Sequence, residues 1–389
     1  MIIARMGIMK NVIYGGGKLK LWMDYPTEIS DMAYRKKAII ISVTIVALII
    51  IGVAWYAWHP VTVSPPLFPA TVVDDFGRNV TLSNVPQRIV SLAPSNTEIL
   101  FALGLGSKVV GVTKFCDYPP EVPEKVKNGD IAVIGGFADP SIERIIALNP
   151  DLVLAASSLQ EKVVKDLEEK GIAVIALNPK KVDQILADII LVGRASGKLE
   201  EAENLTDHMR QLIDTVISKG ENATYRPRVY YEVWYEPLYT IGPGTWQNEL
   251  IEMAGGVNIF ADAKEAYPIV SAEAVIERNP EIIVVKIGYM GSAQSAIWED
   301  FEKRPGWIAI SAVKNGRIYE IDENTVVRSG PRIVQGLQQL AKFIHPEIFG
   351  ASLILSSENA SPLQIAPCAT PPQRDLVGHY YLTCRYDSI

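Results

Sequence analysis

The sequence predicts an α/β protein of two similar lobes, each with a parallel sheet, joined by a long backbone helix. Three observations carry that expectation. Ser141–Ala155 reads SIERIIALNPDLVLA and Ser271–Val285 reads SAEAVIERNPEIIVV, so one helix–turn–strand unit recurs 130 residues further on. Near-continuous apolar runs alternate with amphipathic stretches, which marks buried parallel strands crossed by helices. Between the two copies, Leu199–Lys219 runs for 21 residues without Pro or Gly. At helical rise that is about 30 Å, enough to span two domains.

Each element can be read in order. TVVDDFGRNVTL, from Thr71, holds two short β-type runs around a turn and predicts a hairpin. RIVSLAPSNTEILFALG predicts strand, loop and helix, with Ser95 and Glu98 as a capping box. VVGVTKF is a strand, and CDYPPEVPEKVKNGDIAVIGGFADP reads as a long loop. The first repeat follows, then the amphipathic helix KVVKDLEEKG and the strand IAVIAL. From Val182 to Lys219 the pattern is mostly helical, with a break at Ser196-Gly197. After Pro227 the α/β rhythm restarts. RVYYEVWYEPLYTIG holds strands, WQNELIEMAG is a helix stopped by Gly255-Gly256, and the second repeat comes next. GRIYEI is a strand and PRIVQGLQQLAKFIH a closing helix.

The termini read differently. Ala38–Trp58 is uncharged for 21 residues, follows Arg35-Lys36-Lys37 and ends in Trp55, Tyr56 and Trp58. A helix of that length crosses a hydrocarbon core of about 30 Å. The positive-inside rule then puts the N-terminus in the cytoplasm and the bulk of the chain outside, anchored by a single pass. A cleaved signal peptide is the rival, although no A-x-A-like site follows. Met32 is an alternative start. The domain map is therefore a cytoplasmic tail 1–37, an anchor 38–58 and a Pro-rich tether 59–70. An N-terminal lobe 71–181, a helical interlobe linker 182–225 and a C-terminal lobe 226–350 follow. The tail 351–389 lacks periodicity and is expected to be disordered.

Composition excludes several classes. A net charge of −7 argues against a nucleic-acid partner. Cys116, Cys368 and Cys384 are too few for a disulfide scaffold, although one Cys368–Cys384 bridge stays open. Sequons at Asn79, Asn204, Asn222 and Asn359 fit an exported domain but occur readily by chance. No G-x-S-x-G, H-E-x-x-H or Walker A pattern appears, so no catalytic residue is expected. His59, His208, His345 and His379 are too scattered to form a metal site, and no cofactor is expected.

The ordered blocks RIVSLAPSNTEILFALG, DYPP, SIERIIALNPDLVLA, VSAEAVIERNPEIIVV and SGPRIVQGLQQLA resemble the solute-binding proteins of iron-siderophore and vitamin B12 ABC importers. The resemblance covers residues 71–350 and, in the DYPP and first-repeat blocks, is greatest to the cobalamin-binding members. It implies two α/β lobes on a rigid helix and a ligand cleft between them. It also implies a non-enzymatic monomer that hands its ligand to a permease with its ATPase. Cobalamin or a related corrinoid is the first expectation, a ferric siderophore or haem the alternative, and a tethered receptor without a transport role the second alternative. The resemblance further implies that Glu143 and Glu273, one per lobe, dock onto permease arginines. Each also suits a first helical turn behind Ser141 or Ser271, where the helix dipole favours a carboxylate.

In open α/β sheets ligands bind beyond the carboxyl ends of the strands. That rule selects the loops carrying Pro94, Ser95, Asn96, Phe115, Tyr118, Phe137, Tyr231, Trp234, Tyr267 and Arg328 as candidate ligand-binding residues. Aromatics supply broad faces with polar edges, suited to a corrin or a chelate. About half of Tyr230–Tyr235 should instead face the core by strand alternation. Cobalamin-binding members carry an aromatic before Pro at the place of Tyr267, and a Trp near Gly135-Gly136-Phe137 that is not reproduced here. Lys114, Lys286, Arg328 and Arg332 are the basic residues expected at the cleft.

Overall fold

A computed structural model describes residues 8–14, 17–23, 39, 47, 68–287, 298–350, 373–374 and 380–381. The chain forms two compact units, Met1–Pro66 and Leu67–Ile389. In the first, β1 (Ile8–Tyr14) and β2 (Gly17–Met23) form an antiparallel hairpin, which the sequence reading missed. The expected anchor 38–58 lies almost wholly outside the described residues, as do Cys368 and Cys384. Among the described residues no helix is long and apolar enough to cross a membrane. In the tail, Gln373–Arg374 pairs antiparallel with Tyr380–Tyr381.

In the second unit the hairpin is present as β3 (Ala70–Val73) and β4 (Asn79–Leu82). The first lobe's sheet comprises β5 (Ile89–Ser91), β6 (Val109–Val112), β7 (Ala132–Val133), β8 (Leu152–Ala156) and β9 (Val174–Leu177). All neighbours pair in parallel, in the order β7-β6-β5-β8-β9. Helices α1 (Pro94–Ala102), α2 (Glu121–Asn128), α3 (Ile142–Ala147) and α4 (Glu161–Glu168) belong to this lobe. The stretch read as one loop therefore contains α2 and β7. Its prolines obscured the signal, yet Glu121 and Glu124 occupy the first turn and Gly129 caps the end in the left-handed region.

Two helices bridge the lobes: α5 (Val182–Ser196) and α6 (Leu199–Gly220). The break at Ser196-Gly197 is real, because Gly197 ends α5 with φ of 74°. The bridge is thus a helix pair. α5 packs on β3 and α1 of the first lobe, and reaches α7 (Trp246–Met253) of the second. The second lobe also holds α8 (Ala272–Arg278), α9 (Trp298–Lys303), α10 (Ser311–Lys314), α11 (Glu323–Val326), α12 (Ile333–Ile344) and α13 (Pro346–Phe349), and α6 packs on α5, α7 and α12. Gly193 permits the close α5–α6 approach, since a Cβ there would lie 2.8 Å from the Lys198 carbonyl oxygen.

The second lobe's sheet comprises β10 (Arg228–Trp234), β11 (Tyr239–Thr240), β12 (Val257–Asn258), β13 (Ile282–Ile287) and β14 (Ile318–Asp322). Its path is β11-β10-β13-β14, with β12 also on β10; β10, β13 and β14 run parallel. Strand alternation divides the interior. Val229, Tyr231, Ile282 and Val284 face a core that continues through Ile189, Met209 and Ile213 of the bridge to Ile89, Leu152 and Leu154 of the first lobe. The intervening Tyr230, Ile283 and Val285 face a separate cluster, as Val90, Val153 and Ala155 do in the first lobe.

The repeat has a local explanation. Ser141 and Ser271 are N-caps, accepting from the backbone N–H of Arg144 and Ala274. Asn149 (φ 45°) and Asn279 (φ 42°) adopt the left-handed conformation just after α3 and α8. Asparagine tolerates that geometry, and the following proline cannot continue the helix.

Candidate functional site

The carboxyl ends of both sheets carry the predicted loops, and buried polar side chains fix those of the first lobe. Thr97 Oγ1 donates to Ser91 Oγ at 2.8 Å, and Ser91 to the Ala93 carbonyl. The Asn96 amide donates to the carbonyls of Leu154 and Ala155. Gln160, fully buried, donates to the carbonyls of Leu92 and Phe137 and accepts from the Ala156 N–H. One side chain thereby ties three loops together. Sequence reasoning missed it because a lone Gln carries no signature.

Several predicted ligand residues turn out to be supports. Asn96 and Ser95 are buried, with Ser95 against Asn96. Ser95 does not cap α1: Ala93 holds the N-cap position, and Glu98 turns elsewhere. Tyr231 is 1% exposed in the shared core, its hydroxyl unpartnered and its ionisation pushed up by burial. Alternation placed it inward; Tyr230, its neighbour, fills the opposite core. The residues left at accessible edges are Pro94, Phe115, Tyr118 and Phe137, all half-buried, in the first lobe. In the second they are Trp234 and Tyr267, about half-exposed at 49% and 43%. Tyr267 donates to Gln247 Oε1 at 3.3 Å, and the Trp234 indole N–H to the Glu236 carbonyl. Tyr235, 45% exposed, joins them and lies against the Arg304 guanidinium, 4.0 Å from its ring centroid.

Arg304 itself is buried. It makes a two-point hydrogen bond to Glu232, at 2.6 and 2.9 Å, with Phe301 and Trp307 also against its plane. Burial pushes the Glu232 carboxyl upward, while Arg304 pulls it back. Removing one member of such a pair costs about 3–5 kcal/mol, so the pair fixes the end of β10 beneath the aromatic edge.

The lobes meet at a charged junction that the sequence did not reveal. Arg332 donates from Nε and Nη2 to the two oxygens of Glu98, at 2.9 and 2.6 Å. Arg328 donates to Glu98 at 3.0 Å and to Asp117 at 2.6 Å. The Arg332 guanidinium also lies 4.0 Å from the centroid of the Tyr118 ring. Glu98, Asp117 and Tyr118 belong to the first lobe, and both arginines to the second. Arg328, predicted as a ligand cation, is therefore already engaged. Lys286 pairs with Glu323 at 3.0 Å, and exposed Lys114 lies over Phe115, 5.0 Å from its centroid. Among the described residues no cluster of three or more His, Cys, Asp or Glu is placed to hold a metal ion.

Glu143 and Glu273 stand exposed in the first turns of α3 and α8. Their own backbone N–H groups, with Ser141 and Ser271, hold both carboxyls below the usual glutamate range.

Two α/β lobes on a packed helix pair, with accessible aromatics on loops at the sheet ends, form the architecture of a two-lobed binding protein. The family described as periplasmic binding protein matches residues 89–325. The chain belongs to this family, the substrate-binding proteins of ABC importers. It is 36% identical to an uncharacterized ABC transporter substrate-binding lipoprotein of Bacillus subtilis, over 73% of this chain and 88% of that protein. It is 30% identical to the vitamin B12-binding protein of Vibrio cholerae, over 66% of this chain and 89% of that one. A crystal structure of a possible iron-binding (periplasmic solute-binding) protein from Staphylococcus epidermidis superposes with a TM-score of 0.59. That protein is 34% identical, over 67% of this chain and all of its own length.

Proposed function

We propose that the protein captures cobalamin or a related corrinoid between its lobes and delivers it to an ABC importer permease. The observation that carries this reading is the set of accessible aromatics on loops of both lobes, Trp234, Tyr235 and Tyr267 in the second and Phe115, Tyr118 and Phe137 in the first. Broad apolar faces with polar rims suit a large ring-shaped chelate. The likeness to a vitamin B12-binding protein supports the same ligand. A ferric siderophore or haem is the second reading, supported by the likeness to a possible iron-binding protein. Glu143 and Glu273 dock the lobes on the permease through charge-assisted pairing with arginines. The uncharged apolar run 38–58 anchors the protein to the membrane in a single pass, with the lobes outside the cytoplasm. No chemical conversion of the ligand is involved.

The test is calorimetric titration of the full-length protein in detergent micelles with cyanocobalamin, a ferric hydroxamate and haem. Tight binding of cyanocobalamin, weakened about tenfold or more by Tyr267→Ala, is the expected outcome. Binding of a ferric chelate without a response to cyanocobalamin overturns the corrinoid reading in favour of the second.

A further inference from the structure

We propose that Asp117 sets the charge selectivity of the cleft: by holding Arg328 it compensates that guanidinium charge at the interlobe junction and disfavours anionic ligands. The inference deepens the proposed function and takes from it the location of the ligand site. Two guanidinium groups, Arg328 and Arg332, are paired with two carboxylates, Glu98 and Asp117, and Asp322 lies near Arg332 as a further carboxylate, so no guanidinium charge at the junction is left uncompensated. Lys286 is matched in the same way by Glu323, both about nine-tenths buried. Lys114 brings one exposed charge, at the Phe115 edge.

The two acids at the junction are not equivalent. The Glu98 side chain is 2% exposed and binds both arginines, so neither can leave without stranding a buried charge. The Asp117 side chain is 60% exposed and touches only Arg328 among the described ion pairs, so water can replace that contact at little cost. A carboxylate or similar group on a ligand that approaches Arg328 must share the guanidinium with Asp117, whose charge opposes it. A neutral ligand meets no such opposition. Asp117 is the repulsive element that specificity requires alongside attractive contacts.

The variant Asp117→Asn tests this, because it keeps the shape and removes the competing charge. Citrate serves as a simple anion, followed through the Arg328 Nε–Hε NMR signal of the full-length protein. Haem, with two carboxylates, is compared with cyanocobalamin by fluorescence quenching. Citrate is expected to perturb Arg328 in the variant at about tenfold lower concentration than in the wild type, and the haem-to-cyanocobalamin affinity ratio to rise about tenfold. The gain in the haem-to-cyanocobalamin ratio should disappear in Asp117→Asn/Arg328→Gln. An unchanged citrate response in Asp117→Asn, or a haem gain that survives in the double variant, overturns the proposal. The citrate measurement reads Arg328 directly, so it decides the role of Asp117 even when neither chelate binds. Failure of both chelates would instead remove the proposed function.

Discussion

Asp188 shows what one buried carboxyl does to this protein. It is 3% exposed on α5, one oxygen lacks a hydrogen-bond partner, and burial with the neighbouring Asp75 charge pushes it up to about 8. An unfolded Asp titrates at 3.8. Between those values the folded chain keeps a proton that the unfolded chain releases, so stability falls as pH rises through that window. Asp188→Asn abolishes the titration and can still donate to Asp75. Urea midpoints should show the variant more stable at pH 8, by about 1–3 kcal/mol, and close to wild type near pH 4. Equal slopes of stability against pH in the two proteins would contradict the assignment. At this scale the sequence was only partly legible. Exposed aromatics such as Trp234 and Tyr267 lay at the predicted sheet ends because strand order fixes where those ends fall. Glu98 looked like a capping partner because its actual partners, Arg328 and Arg332, lie more than 200 residues away in sequence. No local pattern encodes a contact of that range.

At the scale of elements the repeated helix–turn–strand unit was legible because its signals are local: a serine N-cap, a left-handed Asn and a proline. Helix α2 was not, since a proline within eight residues hides its period. The two repeated helices present Glu143 and Glu273 at matching, exposed first turns. Both carboxyls are held below the usual range, so they stay charged into more acidic solution than an ordinary glutamate. Replacing both by Gln should lower uptake through the cognate permease by tenfold or more, on the order expected for a lost charge-assisted pair on each lobe. Ligand affinity measured by calorimetry should move little. Full uptake by the double variant would leave these residues with a capping role alone.

At the scale of the whole molecule the bridge is the decisive element. α5 and α6 are packed against each other and into both lobes, so no flexible segment separates the two halves. Ligand binding should then produce a small lobe rotation, below the roughly 20° of large hinge closures, measurable from crystals with and without ligand. A rotation well above that would refute a stiff bridge. The shared core has a consequence for how the chain unfolds. Ile89, Ile189, Met209 and Val284 belong to one continuous apolar cluster, so melting one lobe would expose the inner face of the other. The two lobes should therefore share a single heat-absorption peak in calorimetry, with matching calorimetric and van't Hoff enthalpies. A fragment cut at the bridge should behave as an unfolded or sticky chain, because half of a common interior has no stable form of its own.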